Sequence, residues 1–202
     1  MKLYYSPGAC SLSPHIALRE AGLPVELQKV DLGTKKMEGG GDFTSVNVKG
    51  SVPVLVLDGG QLLTEGPAIV QYIADQRPDS GLAPKAGTLE RYRLMEWLNF
   101  ITSELHKTFT PLFNPNAVAE WKQAARDRIA VNLDLVEKHL QGKDYLMGKQ
   151  FTVADGYLFT VVNWSNFVSF DLGKWPGIQA YVARVAARPK VQEALKAEGL
   201  VG

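Results

Sequence analysis

Residues 76–87 divide this chain into two stretches that obey different rules. Arg77-Pro78-Asp79-Ser80-Gly81-Leu82-Ala83-Pro84 has the proline, glycine and serine density of a linker. Upstream of it the apolar residues fall into short runs broken by turn signals. Downstream of it there is no convincing strand, only apolar residues at helical spacing. A chain patterned this way reads as a small sheet-bearing domain over residues 1–76, a linker over 77–87, and an all-α domain over 88–202.

The first stretch reads as β-α-β, a loop, then β-β-α. Residues 1–5 are a short apolar strand and residues 14–21 a helix closed by Gly22. The alternation in Pro24-Val25-Glu26-Leu27-Gln28-Lys29-Val30 predicts a half-buried strand. Residues 31–50 are polar, with Gly39-Gly40-Gly41 at their centre, and are expected to be a flexible surface loop or a poorly formed helix. Asp58-Gly59-Gly60 then joins two strands as a hairpin. Pro53 has no N–H to give to a strand ladder, so it must lie at a strand end or follow a cis bond. Pro67 suits the first turn of the helix that follows.

Cys10, the single cysteine, sits where the first strand turns into the first helix, in Ser6-Pro7-Gly8-Ala9-Cys10-Ser11-Leu12-Ser13-Pro14. Ser11 or Ser13 followed by Pro14 reads as an N-cap with proline in the first turn. Free backbone N–H groups and the positive end of the helix dipole stabilise a thiolate at such a place. The expectation is a pKa brought down from about 8.5 into roughly the 5 to 7 range. The alternative is a small buried hydrophobe, the commoner fate of a free cysteine. Glu65-Gly66-Pro67 sets a carboxylate beside a bare helix N-terminus. That pair suits a ligand carrying both an ammonium and a carboxylate, although acidic residues near helix starts also serve structure alone.

In the second stretch, residues 88–110 predict one long helix with Leu94, Leu98, Ile101, Leu105 and Phe109 on its buried stripe. Asn99, Ser103 and His106 follow at i, i+4 and i+7 on the other side. In a lone helix such a stripe is a solvated face. In a helix made apolar nearly all round by Trp97, Phe100 and Thr102 it is a cleft lining. A second long helix is expected over 120–140, with shorter ones over 153–168, 178–187 and 189–197. Thr152-Val153-Ala154-Asp155 is a capping box, structural in role.

Composition removes several function classes. Lys plus Arg total 22 against 21 for Asp plus Glu, a net charge of +1, without a basic stripe interleaved with aromatics, so nucleic acid is not the expected partner. One cysteine and three separated histidines (His15, His106, His139) give no metal-ligand spacing, and no metal is expected. The start lacks a leader pattern and no window approaches a membrane span, so the expected location is the cytoplasm.

With these pieces placed, the chain resembles the cytosolic glutathione transferases from end to end. These pair a thioredoxin-like N-terminal domain with an all-α C-terminal domain. Cys10 after Ser-Pro-Gly-Ala, the Asn47 to Pro53 segment, Glu65-Gly-Pro-Ala-Ile, Asn99, His106 and the Thr152 capping box together look like the bacterial beta class. Within that class it looks closest to enzymes associated with aromatic-compound breakdown. The resemblance implies glutathione as co-substrate. Val52, beside a cis Pro53, would hydrogen-bond its cysteinyl part, and Glu65 with the N–H of Gly66 would hold its γ-glutamyl group. Lys35 would reach its glycine carboxylate, and Cys10 would face its sulfur with His106 nearby. Asn99 and Ser103 would contribute across a homodimer interface, and the all-α domain would carry the electrophile pocket, walled by Pro111-Leu112-Phe113 and Trp164.

Three departures from the family pattern stand out. Gly66 replaces the usual serine and removes a hydroxyl contact to the γ-glutamyl carboxylate. Asn47-Val48 replaces Asn-Pro. Gly156 replaces the bulky residue that completes a hydrophobic staple after the capping box. The implied activity is transfer of glutathione to small electrophiles, aromatic or halogenated, with Cys10 also supporting thiol–disulfide exchange. Two other readings stand beside it. Cys10-Ser11-Leu12-Ser13, with serine at the resolving position, suits a monothiol glutaredoxin-like reductase. The fold also suits a non-catalytic glutathione or ligand carrier.

Overall fold

A computed structural model describes residues 1–202. The chain forms two compact units, residues 1–83 with 188–202, and residues 84–187.

The first unit is built on a four-stranded sheet in the order β2-β1-β3-β4. Its elements are β1 (Lys2–Tyr5), α1 (Leu12–Glu20), β2 (Glu26–Lys29), β3 (Val54–Val56), β4 (Leu62–Thr64) and α2 (Gly66–Gln76). β1 and β2 run parallel with Leu3 opposite Leu27, which requires the helical crossover supplied by α1. β3 lies antiparallel to β1, with Leu55 opposite Leu3, and β4 closes the edge as a hairpin partner. Strand alternation buries Leu3 and Tyr5 of β1 on the face that Leu55 shares, Ile16, Ile69 and Ile73 being buried as well, and turns Val54 to the opposite face with Val30, Phe43 and Val52.

Two expectations for this unit are corrected. Residues 31–50 are neither a flexible loop nor a helix. Isolated bridges pair Val30 with Met37 and Lys36 with Asp42, and a short 3-10 turn, Phe43–Ser45, is capped by the Asp42 side chain. Phe43 is fully buried beside Val30, Val52 and Val54, so one aromatic anchor holds an otherwise polar segment. The last helix, α8 (Pro189–Ala197), expected in the all-α domain, belongs to the first unit. Arg188 forks onto Glu20 at 2.7 and 2.8 Å. Glu198 accepts from the Gly8 N–H at 2.9 Å and pairs with fully buried His15 at 2.8 Å. An apolar stripe says that a helix buries one face and is silent about which partner covers it.

The second unit is all helical: α3 (Leu89–Phe100), α4 (Lys107–Phe113), α5 (Ala119–Leu140), α6 (Val153–Asn163) and α7 (Pro176–Ala186). α6 is the buried centre, every residue from Val153 to Val162 being buried. The predicted stripe of Leu94, Leu98, Ile101, Leu105 and Phe109 is buried throughout, as are Ile129, Leu133, Val136 and Leu140 of α5. The helix expected over 88–110 is interrupted, however. Ile101–His106 is a π-helical turn between α3 and α4. Side-chain hydroxyls compete for the helix carbonyls here: Thr102 donates to Leu98 at 2.7 Å, Ser103 to Asn99 at 3.1 Å and Thr108 to Glu104 at 2.7 Å. Asn132 of α5, itself buried, donates its amide to the Glu104 carbonyl at 2.6 Å and satisfies the widened turn from outside. The helix expected over 153–168 ends at Asn163 and continues as a 3-10 turn, Trp164–Asn166.

The capping box at Thr152 is formed. The buried Asp155 carboxylate accepts from the Thr152 N–H and hydroxyl at 2.8 and 2.9 Å, from the Leu146 N–H at 2.8 Å and from the Tyr181 hydroxyl at 3.0 Å. Phe151, without a staple partner at Gly156, packs edge-on against Tyr145 at 5.7 Å.

Candidate active site

Cys10 is partly exposed and lies two residues ahead of α1. Its thiol donates to the Val52 carbonyl at 3.2 Å. The loop that carries it is tied at several points. The Ser11 hydroxyl accepts from the Ser6 N–H at 3.1 Å and donates to the Ser6 carbonyl at 3.2 Å, and Gly8, at φ 70°, points its N–H to Glu198. The predicted serine cap is therefore corrected. Ser11 occupies the N-cap position in a helical conformation, but its hydroxyl holds the loop, and α1 begins at Leu12. Ser13 is buried with its hydroxyl unpartnered. The early start follows from the Leu12→Ala9 and Ser13→Cys10 backbone bonds, which wind the chain one turn before Pro14.

Val52 is buried, and its peptide bond to Pro53 is cis. Lys35, at φ 60°, donates its ammonium to the Gly50 carbonyl at 2.8 Å, which places its charge near the segment leading to Val52. Glu65 also has a positive φ, 69°, immediately before Gly66 opens α2. A non-glycine residue in that region is held there against a local cost of order 1–3 kcal/mol, a feature that clusters at ligand sites. Glu65 is already paired with Lys49 at 2.6 Å, an exposed contact. Lys49 was missed in the sequence because a lone lysine in a loop carries no pattern. Gly66 is required by neither packing nor backbone: a Cβ built there meets nothing within 4 Å, and its φ is not positive.

In the second unit, His106 sits at the end of the π turn with Nδ1 2.7 Å from the Tyr157 hydroxyl. Its ring is edge-on to Trp164 at 4.7 Å, and Phe109 and Phe113 meet the same tryptophan at 5.7 and 5.6 Å. Burial, helped by the neighbouring Lys107 charge, lowers the His106 pKa from 6.5 to about 4, so the imidazole is neutral at physiological pH. The predicted stripe of Asn99, Ser103 and His106 is not one surface. Asn99 and Ser103 are exposed, with the Ser103 hydroxyl turned onto the Asn99 carbonyl, while His106 is partly buried among aromatics. The π turn breaks the regular spacing that the stripe assumed. Tyr157 also escaped the sequence reading, since a tyrosine in an apolar helix looks like core.

Family comparison agrees with this geometry. Residues 8–76 match the glutathione S-transferase N-terminal domain and residues 100–189 the glutathione S-transferase C-terminal domain. Glutathione S-transferase GstA of Escherichia coli O157:H7 is 49% identical over 200 residues, which cover 99% of this chain and 100% of that protein. Among solved structures, a ternary complex of BphK, a bacterial GST, is 59% identical with a TM-score of 0.98, covering 99% of this chain and all of that one. A sphingomonad glutathione S-transferase complexed with glutathione is 52% identical, with a TM-score of 0.95 and full coverage of both chains. A sheet-based unit with Cys10 before its first helix, an all-α unit and matches to both family domains have one reading: the chain belongs to the glutathione S-transferases and is similar to their bacterial beta class.

Proposed function

We propose that this transferase joins glutathione to small apolar electrophiles, aromatic or halogenated, and that Cys10 also carries out thiol–disulfide exchange with glutathione. The observation that supports this most is the Cys10 thiol on the Val52 carbonyl. It puts the only thiol of the chain beside a backbone edge that an extended peptide can join as an added strand. In this reading Val52 pairs with the cysteinyl part of glutathione, and Glu65 with the Gly66 N–H holds the γ-glutamyl end. Lys35 takes the glycine carboxylate. His106 is the second catalytic side chain, a donor to the glutathione sulfur. Phe113, half exposed against Trp164, offers the electrophile an apolar wall.

Conjugation is attack of the glutathione thiolate on an electrophilic carbon with departure of the leaving group, and the protein contributes thiolate stabilisation and alignment. Exchange is attack of the Cys10 thiolate on oxidised glutathione, which gives a protein–glutathione disulfide and one reduced glutathione. The chain is further proposed to act as a homodimer. Leu89 and Tyr92 of α3 are 65% and 60% exposed, and Leu62 of β4 is 51% exposed, more apolar surface than isolated positions account for. Asn99 and Ser103 belong to that interface in this reading.

Turnover of an activated aryl halide with glutathione, and mass spectrometry after incubation with oxidised glutathione, test the two halves separately. One glutathione per chain and measurable aryl transfer are expected. Disulfide turnover without aryl transfer selects the glutaredoxin-like reading, and glutathione binding without either selects a carrier. Sedimentation at micromolar concentration yielding only single-chain mass removes the dimer.

A further inference from the structure

Glu65 meets a cation from its own chain. The Lys49 ammonium lies 2.6 Å from its Oε1 and donates to the Thr64 hydroxyl oxygen at 3.1 Å. The carboxylate proposed to receive the α-ammonium of glutathione thus already holds a group of the same chemistry, a primary ammonium with three donors and no acceptor.

Backbone geometry brings the two side chains together. Glu65 stands at φ 69° directly ahead of α2. Lys49 belongs to a turn closed by Asn47, whose side chain accepts from the Lys49 N–H at 3.2 Å and donates to the Ser51 carbonyl at 2.8 Å. The Gly50 N–H reaches the Asn47 carbonyl at 2.8 Å, and Lys35 braces the Gly50 carbonyl at 2.8 Å. The ion pair itself is open to water, with the Lys49 and Glu65 side chains 52% and 68% exposed. A pair so exposed is weak. A firmly placed but weakly held cation is one that a ligand can displace.

We infer that Lys49 is a stand-in for the ligand ammonium at Glu65 and tunes the specificity of that subsite. The inference rests on Glu65 and the Gly66 N–H holding the γ-glutamyl group, as proposed above. Glutathione displaces Lys49 because it brings an ammonium and a carboxylate together, and the carboxylate takes the Gly66 N–H at the start of α2, a contact for which lysine has no acceptor. The released lysine head returns to solvent. A γ-glutamyl analogue without the α-amino group leaves Lys49 in place, and there the lysine neutralises a Glu65 carboxylate that would otherwise repel the carboxylate of the analogue. Lys49 therefore weakens binding of the natural ligand and strengthens binding of the deaminated one.

Calorimetric titration of wild type, Lys49→Met, Glu65→Gln and the double variant, each with glutathione and with its analogue lacking the α-amino group, tests this. Lys49→Met keeps the stem and removes the charge. It is expected to bind glutathione about two- to fivefold tighter and the analogue about two- to fivefold more weakly. Both differences should shrink at about 1 M salt, where the screening length falls to about 3 Å. In the Glu65→Gln background Lys49→Met should change neither affinity, because the stand-in has lost its acceptor. Equal or weaker glutathione binding by Lys49→Met overturns the inference, the weaker result making Lys49 a direct ligand contact. A Lys49 effect that persists without the Glu65 charge overturns it as well. If Glu65→Gln binds both ligands as wild type does, the γ-glutamyl group is not held at Glu65, and the reading of the preceding subsection falls together with this one. A loss of glutathione affinity in Glu65→Gln beside an unchanged Lys49→Met removes the stand-in alone.

Discussion

The Cys10 thiol and the Val52 carbonyl form one hydrogen bond, 3.2 Å long, between the loop ahead of α1 and the segment entering β3. Only the protonated sulfur can donate it. In the proposed binding mode the cysteinyl amide of glutathione seeks the same carbonyl, which has two lone pairs to share between ligand and thiol.

Cys10→Ser keeps a donor of similar size at that carbonyl, and its stability is expected to stay within about 1 kcal/mol of wild type in urea denaturation. Aryl transfer should survive in part, because a hydroxyl still orients the bound thiol, while disulfide reduction should vanish for want of the sulfur. Equal loss of both activities would show that Cys10 serves the two reactions through the same chemistry.

Gly66→Ser should bind glutathione more tightly, by about two- to fivefold in calorimetry, since one hydrogen bond contributes about 0.5–1 kcal/mol. The site accepts the change without strain, for nothing lies within 4 Å of a Cβ there. Weaker binding would mean that the γ-glutamyl carboxylate does not sit at the start of α2.

His106 gives stability a pH dependence with a definite sign. Its folded-state pKa is lowered from 6.5 to about 4, so between those values the unfolded chain takes up a proton that the folded chain refuses. Stability contributed by this residue is complete above the unfolded pKa and is lost as pH falls from 6.5 towards 4. Denaturation midpoints of wild type and His106→Gln, compared at about pH 7 and about pH 4.5, should diverge less at the acid end if the histidine carries this loss. Parallel pH profiles would count against it.

Asn132→Leu removes the amide that satisfies the Glu104 carbonyl in the π turn. A cost of about 1–3 kcal/mol is expected in denaturant titration. The His106 resonances should shift as well, because the turn that ends at that residue loses its outside support. A purely local packing defect would lower stability and leave those resonances in place.

Asp155→Ala strips the partner from the Thr152 and Leu146 N–H groups and from the Tyr181 hydroxyl at the buried head of α6. A loss of about 3 kcal/mol or more is expected, with little change in the KM for glutathione of the protein that still folds. A large KM effect would make this cap part of the binding apparatus.

Periodicity and turn chemistry in the sequence determined the β-α-β, β-β-α order, the buried stripe from Leu94 to Phe109, the capping box at Thr152 and the place of Cys10 before a helix. Each depends on residues a few positions apart, where backbone geometry couples neighbours directly. Tertiary structure decided the rest. α8 joined the first unit through Arg188, His15 and Glu198, and Phe43 anchored a segment that composition marked as loose. The π turn separated His106 from Asn99 and Ser103 and set it against Tyr157. In each case the deciding contact joins groups distant in the chain. Such a contact follows from which surfaces exclude water together and which buried polar groups find partners, and no local pattern encodes either.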